Sequence, residues 1–132
     1  MDKLVSFNVA KLAKQKGVNL PCSHFYVLQF SSFKENRMPQ KFNKDLSENQ
    51  LQFVTISKTQ PHLAGAMTQS KLAQWLRLEH GIHIFPSIYS NGMDYEFKVY
   101  RKGKHLISEG LGFSFDEAFD AGLLIALNEI KL

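Results

Sequence analysis

Ile82-His83-Ile84-Phe85-Pro86-Ser87-Ile88-Tyr89, then Ser90-Asn91-Gly92-Met93-Asp94, then Tyr95-Glu96-Phe97-Lys98-Val99-Tyr100-Arg101: two runs of β-branched and aromatic residues stand on either side of an Asn-Gly pair. Asn-Gly supplies the two positive-φ positions that a tight hairpin requires, so the segment reads as two antiparallel strands. Alternation places Ile82, Ile84 and Ile88 on one face and Tyr95, Phe97 and Val99 on the matching face of the next strand, which gives a sheet with one buried side. Pro86 cannot donate to a ladder and points to an edge position or a bulge. A second turn at Lys102-Gly103 leads into a third strand, Lys104 to Glu109.

Both flanks of this meander read as helices. Thr68 is a good N-cap for a helix from Gln69 to His80, with Leu72, Trp75, Leu76 and Glu79 on one face, Trp75 buried in it, and Gly81 ending it. Downstream, Ser114-Phe115-Asp116-Glu117 is a capping-box pattern that opens a helix reaching to about Ile130. That helix is apolar around much of its circumference, as expected of the central packing element on a sheet or of one shared with a second subunit. With unprotected strand edges, it predicts a homodimer.

Toward the N-terminus, Ser6 caps a short amphipathic helix over Phe7 to Lys16 that ends at Gly17. After Pro21-Cys22-Ser23, the run His24 to Phe30 reads as a largely buried strand, and Leu51 to Ser57 restores the strand pattern. Between them, Ser31 to Gln50 is polar and carries Pro39, so it is either a mobile flap or hides a short helix. If it closes as a long hairpin, strands 24–30 and 51–57 pair antiparallel. The expected fold is one α+β domain over residues 1–132, with an antiparallel sheet of about five strands and three helices.

Composition narrows the function classes. The 132 residues are 44% hydrophobic and 21% charged, ordinary for a globular chain, and include eleven Phe, four Tyr and one Trp that need burial or a partner. Cys22 is the only cysteine, so no intramolecular disulfide can form and a reducing compartment suits the chain. No segment approaches the roughly 20 apolar residues of a membrane span, and the N-terminal residues lack a secretory apolar stretch, which predicts a cytoplasmic protein. The net charge of +4 is uneven: residues 1–60 carry nine Lys/Arg against four Asp/Glu, and residues 114–132 carry one against four. A basic surplus of this size is compatible with nucleic acid, and is also what many solvated surfaces look like.

Recognisable chemistry is sparse. No P-loop, dinucleotide-binding glycine pattern, nucleophile elbow or zinc spacing occurs. The histidines at 24, 62, 80, 83 and 105 lack metal-site spacing, since Gly81 breaks the face that His80 and His83 would share on a helix. Cys22 reads as a small buried hydrophobe, and Asp116, Glu117 and Asp120 are accounted for by helix capping and solvation. No catalytic residue, cofactor site or metal site is nominated.

The order helix, three strands, helix, closed by Glu109-Gly110-Leu111-Gly112-Phe113-Ser114 and Glu117-Ala118, Ala121 and Ala126-Leu127, is similar to the C-terminal part of double-stranded-RNA-binding domains. In that family lysines in the first turn of the last helix clamp phosphates, whereas Phe115, Asp116 and Glu117 stand here, and a carboxylate would repel RNA. The resemblance therefore implies the αβββα topology without its nucleic-acid contact. A second resemblance covers most of the chain. Leu4-Val5-Ser6-Phe7, Ala10-Lys11-Leu12-Ala13-Lys14, Pro21-Cys22, Thr68-Gln69-Ser70, Trp75-Leu76-Arg77, His80-Gly81-Ile82-His83-Ile84 and Phe115-Asp116-Glu117-Ala118 are similar to a group of small proteins of Bacteroides-type bacteria and their phages or mobile elements. It implies a genomic setting and no activity.

Three function classes follow. The first is a binding or accessory module that recognises a macromolecular partner, a protein, through aromatic anchors such as Phe85, Tyr89, Tyr95 and Tyr100. The second is nucleic-acid binding through Lys98, Arg101, Lys102 and Lys104, with Lys11, Lys14, Lys16, Arg37, Lys41 and Lys44 as a further basic group. The third is an enzyme in which His24, His83 or Cys22 meets a carboxylate in a deep pocket.

Overall fold

Strand pairing resolves the β-rich segments into two separate sheets. The computed structural model describes residues 3–32, 34–43, 45–56, 59–89, 91–102, 105–112 and 114–130. Within them the order is α1 (Phe7–Gln15), β1 (His24–Val27), β2 (Asn36–Lys41), α2 (Glu48–Leu51), β3 (Leu63–Ala66), α3 (Gln69–His80), β4 (Ile82–Ile88), β5 (Tyr95–Arg101), β6 (His105–Gly112) and α4 (Phe115–Asn128). The fold is α+β, with three-stranded antiparallel sheets in the orders β2-β1-β3 and β4-β5-β6. Contacts divide the chain into one unit from Leu4 to Thr68 and another from Gln69 onward that includes Lys3. No described helix is long and apolar enough to cross a membrane.

In the first unit, α1 follows from its caps. The Ser6 hydroxyl accepts from the Val9 N–H at 3.3 Å, and Gly17, at φ 80°, lets the Val18 N–H turn back to the Ala13 carbonyl at 3.0 Å. Phe7, Val9, Ala10 and Ala13 form the buried stripe. β1 is the central strand, and the residues that flank it in space are not those expected from the sequence. The anticipated partner, 51–57, is not a strand among its described residues: Leu51 ends α2, a single turn with a Ser47/Gln50 capping box, and Leu51 is fully buried while Phe53 is 78% exposed. The polar stretch after Ser31 instead supplies β2, and β3 arrives later in the chain, so one five-stranded sheet becomes two smaller ones and three helices become four. β1 also stops at Val27, with Phe30 47% exposed.

Tyr26 joins this sheet to the N-terminal segment. It is buried, its hydroxyl donates to the Val5 carbonyl at 2.7 Å, and its ring meets Phe7 edge-on at 5.7 Å. Replacing Tyr26 with Phe keeps the ring and removes the donor, and is expected to cost about 1–2 kcal/mol, read as a lower urea midpoint at unchanged slope.

The second unit follows the expected αβββα order closely. All three strands of its sheet are covered by α4, and α3 packs on α4 and β4. The approach is close because Gly122 faces Ile84 and Phe97: a Cβ built there would lie 2.7 Å from Ile84 Cγ2 and 3.4 Å from Phe97 Cδ2. Phe97 in turn lies over Gly110, its cross-strand partner, and Gly112 is pressed against the Ala118 backbone. The Gly-x-Gly stretch before α4 therefore serves ring and helix packing. Gln69, 3% exposed, begins α3 with its amide N–H on the Lys3 carbonyl (2.8 Å) and its side-chain NH2 on the Asp116 carbonyl (2.9 Å).

Some expectations shift in detail. Trp75 is half-buried against His80 at a centroid distance of 4.8 Å, while Leu72 and Leu76 take the fully buried positions. Ile88 shares the face of Ile82 and Ile84 but is 64% exposed. The Asn-Gly turn is wider than a two-residue hairpin. Among its described residues only Gly92 has positive φ (73°), and the Asn91 side-chain carbonyl accepts from the Met93 and Asp94 N–H groups, so the side chain replaces the second left-handed residue. Ser90 and Gly103 lie outside the described residues. Pro86 does sit on an edge strand, β4. On α4, Ala118, Gly122, Leu123, Ala126 and Leu127 are buried, and Phe119, Leu124 and Ile125 are half-buried.

Substituting Gly122 by Val puts branched methyls into the Ile84–Phe97 contact and is expected to destabilise the chain by about 1–3 kcal/mol in urea unfolding. Gly122→Ala should cost less, because regained helix propensity, up to about 1 kcal/mol, offsets part of the clash.

Candidate functional site

Pleat parity sorts the residues of the second sheet. Ile84 and Phe97 face α4, so the partners in register with them, and every second residue along each strand, share that side. The opposite, open face carries His83, Phe85 and Ser87 from β4, Glu96, Lys98 and Tyr100 from β5, and Leu106, Glu109 and Leu111 from β6. Cross-strand register sets them in rows: His83–Tyr100–Leu106, Phe85–Lys98–Glu109 and Ser87–Glu96–Leu111.

The aromatic side chains of this face touch one another. His83 stacks on Phe85 with rings 5° from parallel and 6.2 Å apart, and Phe85 meets Tyr100 edge-on at 5.7 Å. They do not bury each other, since Phe85 remains 54% exposed, Leu106 49% and Leu111 56%. A cluster of large apolar groups left open on a small domain is the kind of surface that a partner covers. Charge on the face is mixed: Lys98 lies directly opposite Glu109 across the ladder and two residues along the strand from Glu96, whose carboxylate accepts from the Ser87 hydroxyl at 3.3 Å.

The structure regroups the residues singled out from the sequence. Phe85, Tyr100 and Lys98 come together on the open face. Tyr95 lies on the α4 side, where it meets Phe115 edge-on at 6.1 Å, and Tyr89 is at the mouth of the 89–94 connection with its N–H on the Asp94 carbonyl. Arg101 also lies on the α4 side and donates to Glu129 at 2.9 Å, Lys102 lies over Gly81, and Lys104 is outside the described residues. Glu96, Glu109, Leu106 and Leu111 are members of the face that residue type alone did not mark, and His83, singled out only for the enzyme class, joins them there. Alternation along β5 reaches Glu96, but Leu106 needs the register shift opposite Val99 and Tyr100: the extra residue Ile107 puts Leu106 and Ser108 on opposite faces although they are two apart in sequence.

In the first unit, Arg37 lies over the Phe7 ring at 4.5 Å and pairs with Glu35 at 3.2 Å, and Lys44 is outside the described residues. Cys22 is buried with its sulfur against Gly65, and the His24 ring nitrogen Nδ1 is 2.7 Å from the Ser23 hydroxyl. Among the described residues no group of three or more His, Cys, Asp or Glu side chains is placed to hold a metal ion. An open depression of about 360 Å³ at the end of the second sheet is lined by Asp94, Leu111, Gly112 and Glu117. A water-sized cavity of about 20 Å³ lies in the first unit beside Lys14, Ile56 and Gly65.

No family model, curated protein or solved structure matches this chain.

Lys14 has a perturbed acidity. Its ammonium donates to the Gln60 carbonyl at 2.9 Å, and desolvation there lowers its pKa below the ordinary 10.5. Because the folded state holds this proton less tightly than the unfolded chain, the destabilising contribution is fully present below the folded pKa and fades as pH rises toward 10.5. The Lys14 ammonium should therefore titrate below the ordinary lysine value when its ε-carbon resonance is followed by NMR.

Proposed function

We propose that this chain is a protein-binding module and that the open face of β4-β5-β6 is its contact surface. The observation that carries the reading is Phe85, more than half exposed at the centre of a His83–Phe85–Tyr100 cluster with Leu106 beside it. Rigid aromatic side chains held in place by their neighbours are the groups that dominate protein interfaces, because they bring large contact area at small entropic cost.

Charge favours a polypeptide over a nucleic acid. A phosphate backbone calls for a continuous positive stripe, and its affinity grows with each cation it meets. On the open face Lys98 is accompanied by Glu96 and Glu109, Arg101 is engaged by Glu129 on the other side, and the first turn of α4 presents Asp116 and Glu117 where a double-stranded-RNA-binding domain would place lysines. Polypeptides carry both signs and apolar groups together, as this face does. The kinship with small proteins of Bacteroides-type bacteria and their mobile elements belongs to the same proposal and adds a setting to it.

A photoreactive benzoyl-phenylalanine placed at Phe85 in the full chain should crosslink to a discrete polypeptide in the native host, and one at the exposed Leu78 of α3 should not. Fluorescence anisotropy with single-stranded and duplex RNA and DNA should show no salt-sensitive binding at micromolar protein. Oligonucleotide binding that disappears in Lys98→Glu would establish the second function class in place of this one.

A further inference from the structure

Resting on the reading that the open face binds protein, we infer that its occupant is a single amphipathic α-helix of a partner, with an apolar stripe and one basic flank. The first reason is dimensional. Adjacent strands lie ~4.8 Å apart, so three strands present a face ~10 Å across between the outer strand axes, which is about the width of one α-helix. The other face of this same sheet demonstrates the reach of one helix: α4 touches β4, β5 and β6, with α3 beside it on β4. β4, seven residues long, offers ~23 Å of length, which a partner helix of about four turns would span.

The second reason is that the edges of the sheet are poor sites for an extended peptide. Adding a strand requires a run of unpaired N–H and C=O groups in regular register. β4 has Pro86, without a donor, in the middle of its length, and β6 is bulged at Ile107. Both devices blunt an edge against pairing. The broad face is therefore the better place for a polypeptide to dock, and a helix is the element that docks on a face without needing its backbone groups paired to the host.

Charge sets the orientation. His83, Tyr100 and Leu106 cross all three strands at one end of the face with Phe85 next to them on β4, and Glu96 and Glu109 lie on β5 and β6 toward the other end, where Leu111 also sits. A helix whose apolar stripe covers the aromatic cluster brings one polar flank over the two carboxylates, and lysine or arginine there complements them. Lys98 stands between the two regions, directly opposite Phe85 on one side and Glu109 on the other.

Two phage-displayed libraries selected on the full chain test this: amphipathic helices of about 18 residues randomised at stripe and flank positions, and extended peptides of the same length. We expect helices with an apolar stripe and a Lys/Arg flank to be enriched. Their affinity should fall at least about tenfold in Phe85→Glu, fall several-fold in the double variant Glu96→Lys, Glu109→Lys, and be unchanged in Leu78→Glu. Circular dichroism of each variant confirms that it is folded. Enriched sequences that are extended or carry an acidic flank, yet still lose affinity in Phe85→Glu, would overturn the helix and leave the protein-binding face standing. Enriched sequences indifferent to Phe85→Glu, or no enrichment from either library, would overturn both.

Discussion

The contact of Gly122 with Ile84 and Phe97 decides which side of the second sheet is interior and which is free. An α-helix can lie this close to a sheet only where no Cβ intervenes, and the same economy of volume recurs at Gly110 under the Phe97 ring and at Gly112 against Ala118. Three glycines thus let one phenylalanine and one helix fill the space over three strands. Once that side is filled, pleat parity leaves no freedom: Phe85, Tyr100, Lys98, Glu96 and Glu109 must face away from α4. The candidate interface is the geometric complement of the core.

Charge follows from the same packing. Asp116 and Glu117 occupy the first turn of α4, where Ser114 accepts from the Glu117 N–H at 3.2 Å and the acidic groups complement the helix dipole. Glu129, at the far end of the helix, engages Arg101 and removes it from the basic group that the sequence seemed to assemble around the hairpin. Residues neighbouring in sequence are thus divided between two faces of a strand, and a positive cluster becomes a face of both signs.

The unit from Leu4 to Thr68 depends on a different constraint, the central position of β1. Its partners both follow it in sequence and flank it in space, β2 soon after it and β3 more distant, and Tyr26 links it to the N-terminal segment through the Val5 carbonyl. Cys22 and Gly65 meet where a Cβ on Gly65 would lie 2.8 Å from the sulfur, so the thiol occupies a packing position. Lys14, half-withdrawn from water and donating to the Gln60 carbonyl, ties α1 to the approach to β3.

By itself the sequence determined α3, the first two strands after it and α4 nearly to the residue, and the third strand up to Glu109 where β6 runs on to Gly112, because those elements carry their own signals: 3.6-residue and two-residue periodicity, a Ser114 cap, Gly81 and Gly92 at positive φ. It also marked Phe85, Tyr100 and Lys98 as candidates by residue type. It misread the described part of 51–57, where alternation mimics a strand although the Ser47–Gln50 capping box was there to announce a helical turn. It also left β2 hidden in a polar run, because a strand exposed along most of its length, as Asn36–Lys41 is, has no apolar alternation to display. Only the tertiary structure decided that there are two sheets, that Arg101 is engaged by Glu129, and that Leu106 joins the open face through the extra residue Ile107. Strand partners, bulges and ion pairs are relations between residues far apart in the chain, and local periodicity contains no information about them until the backbone has closed.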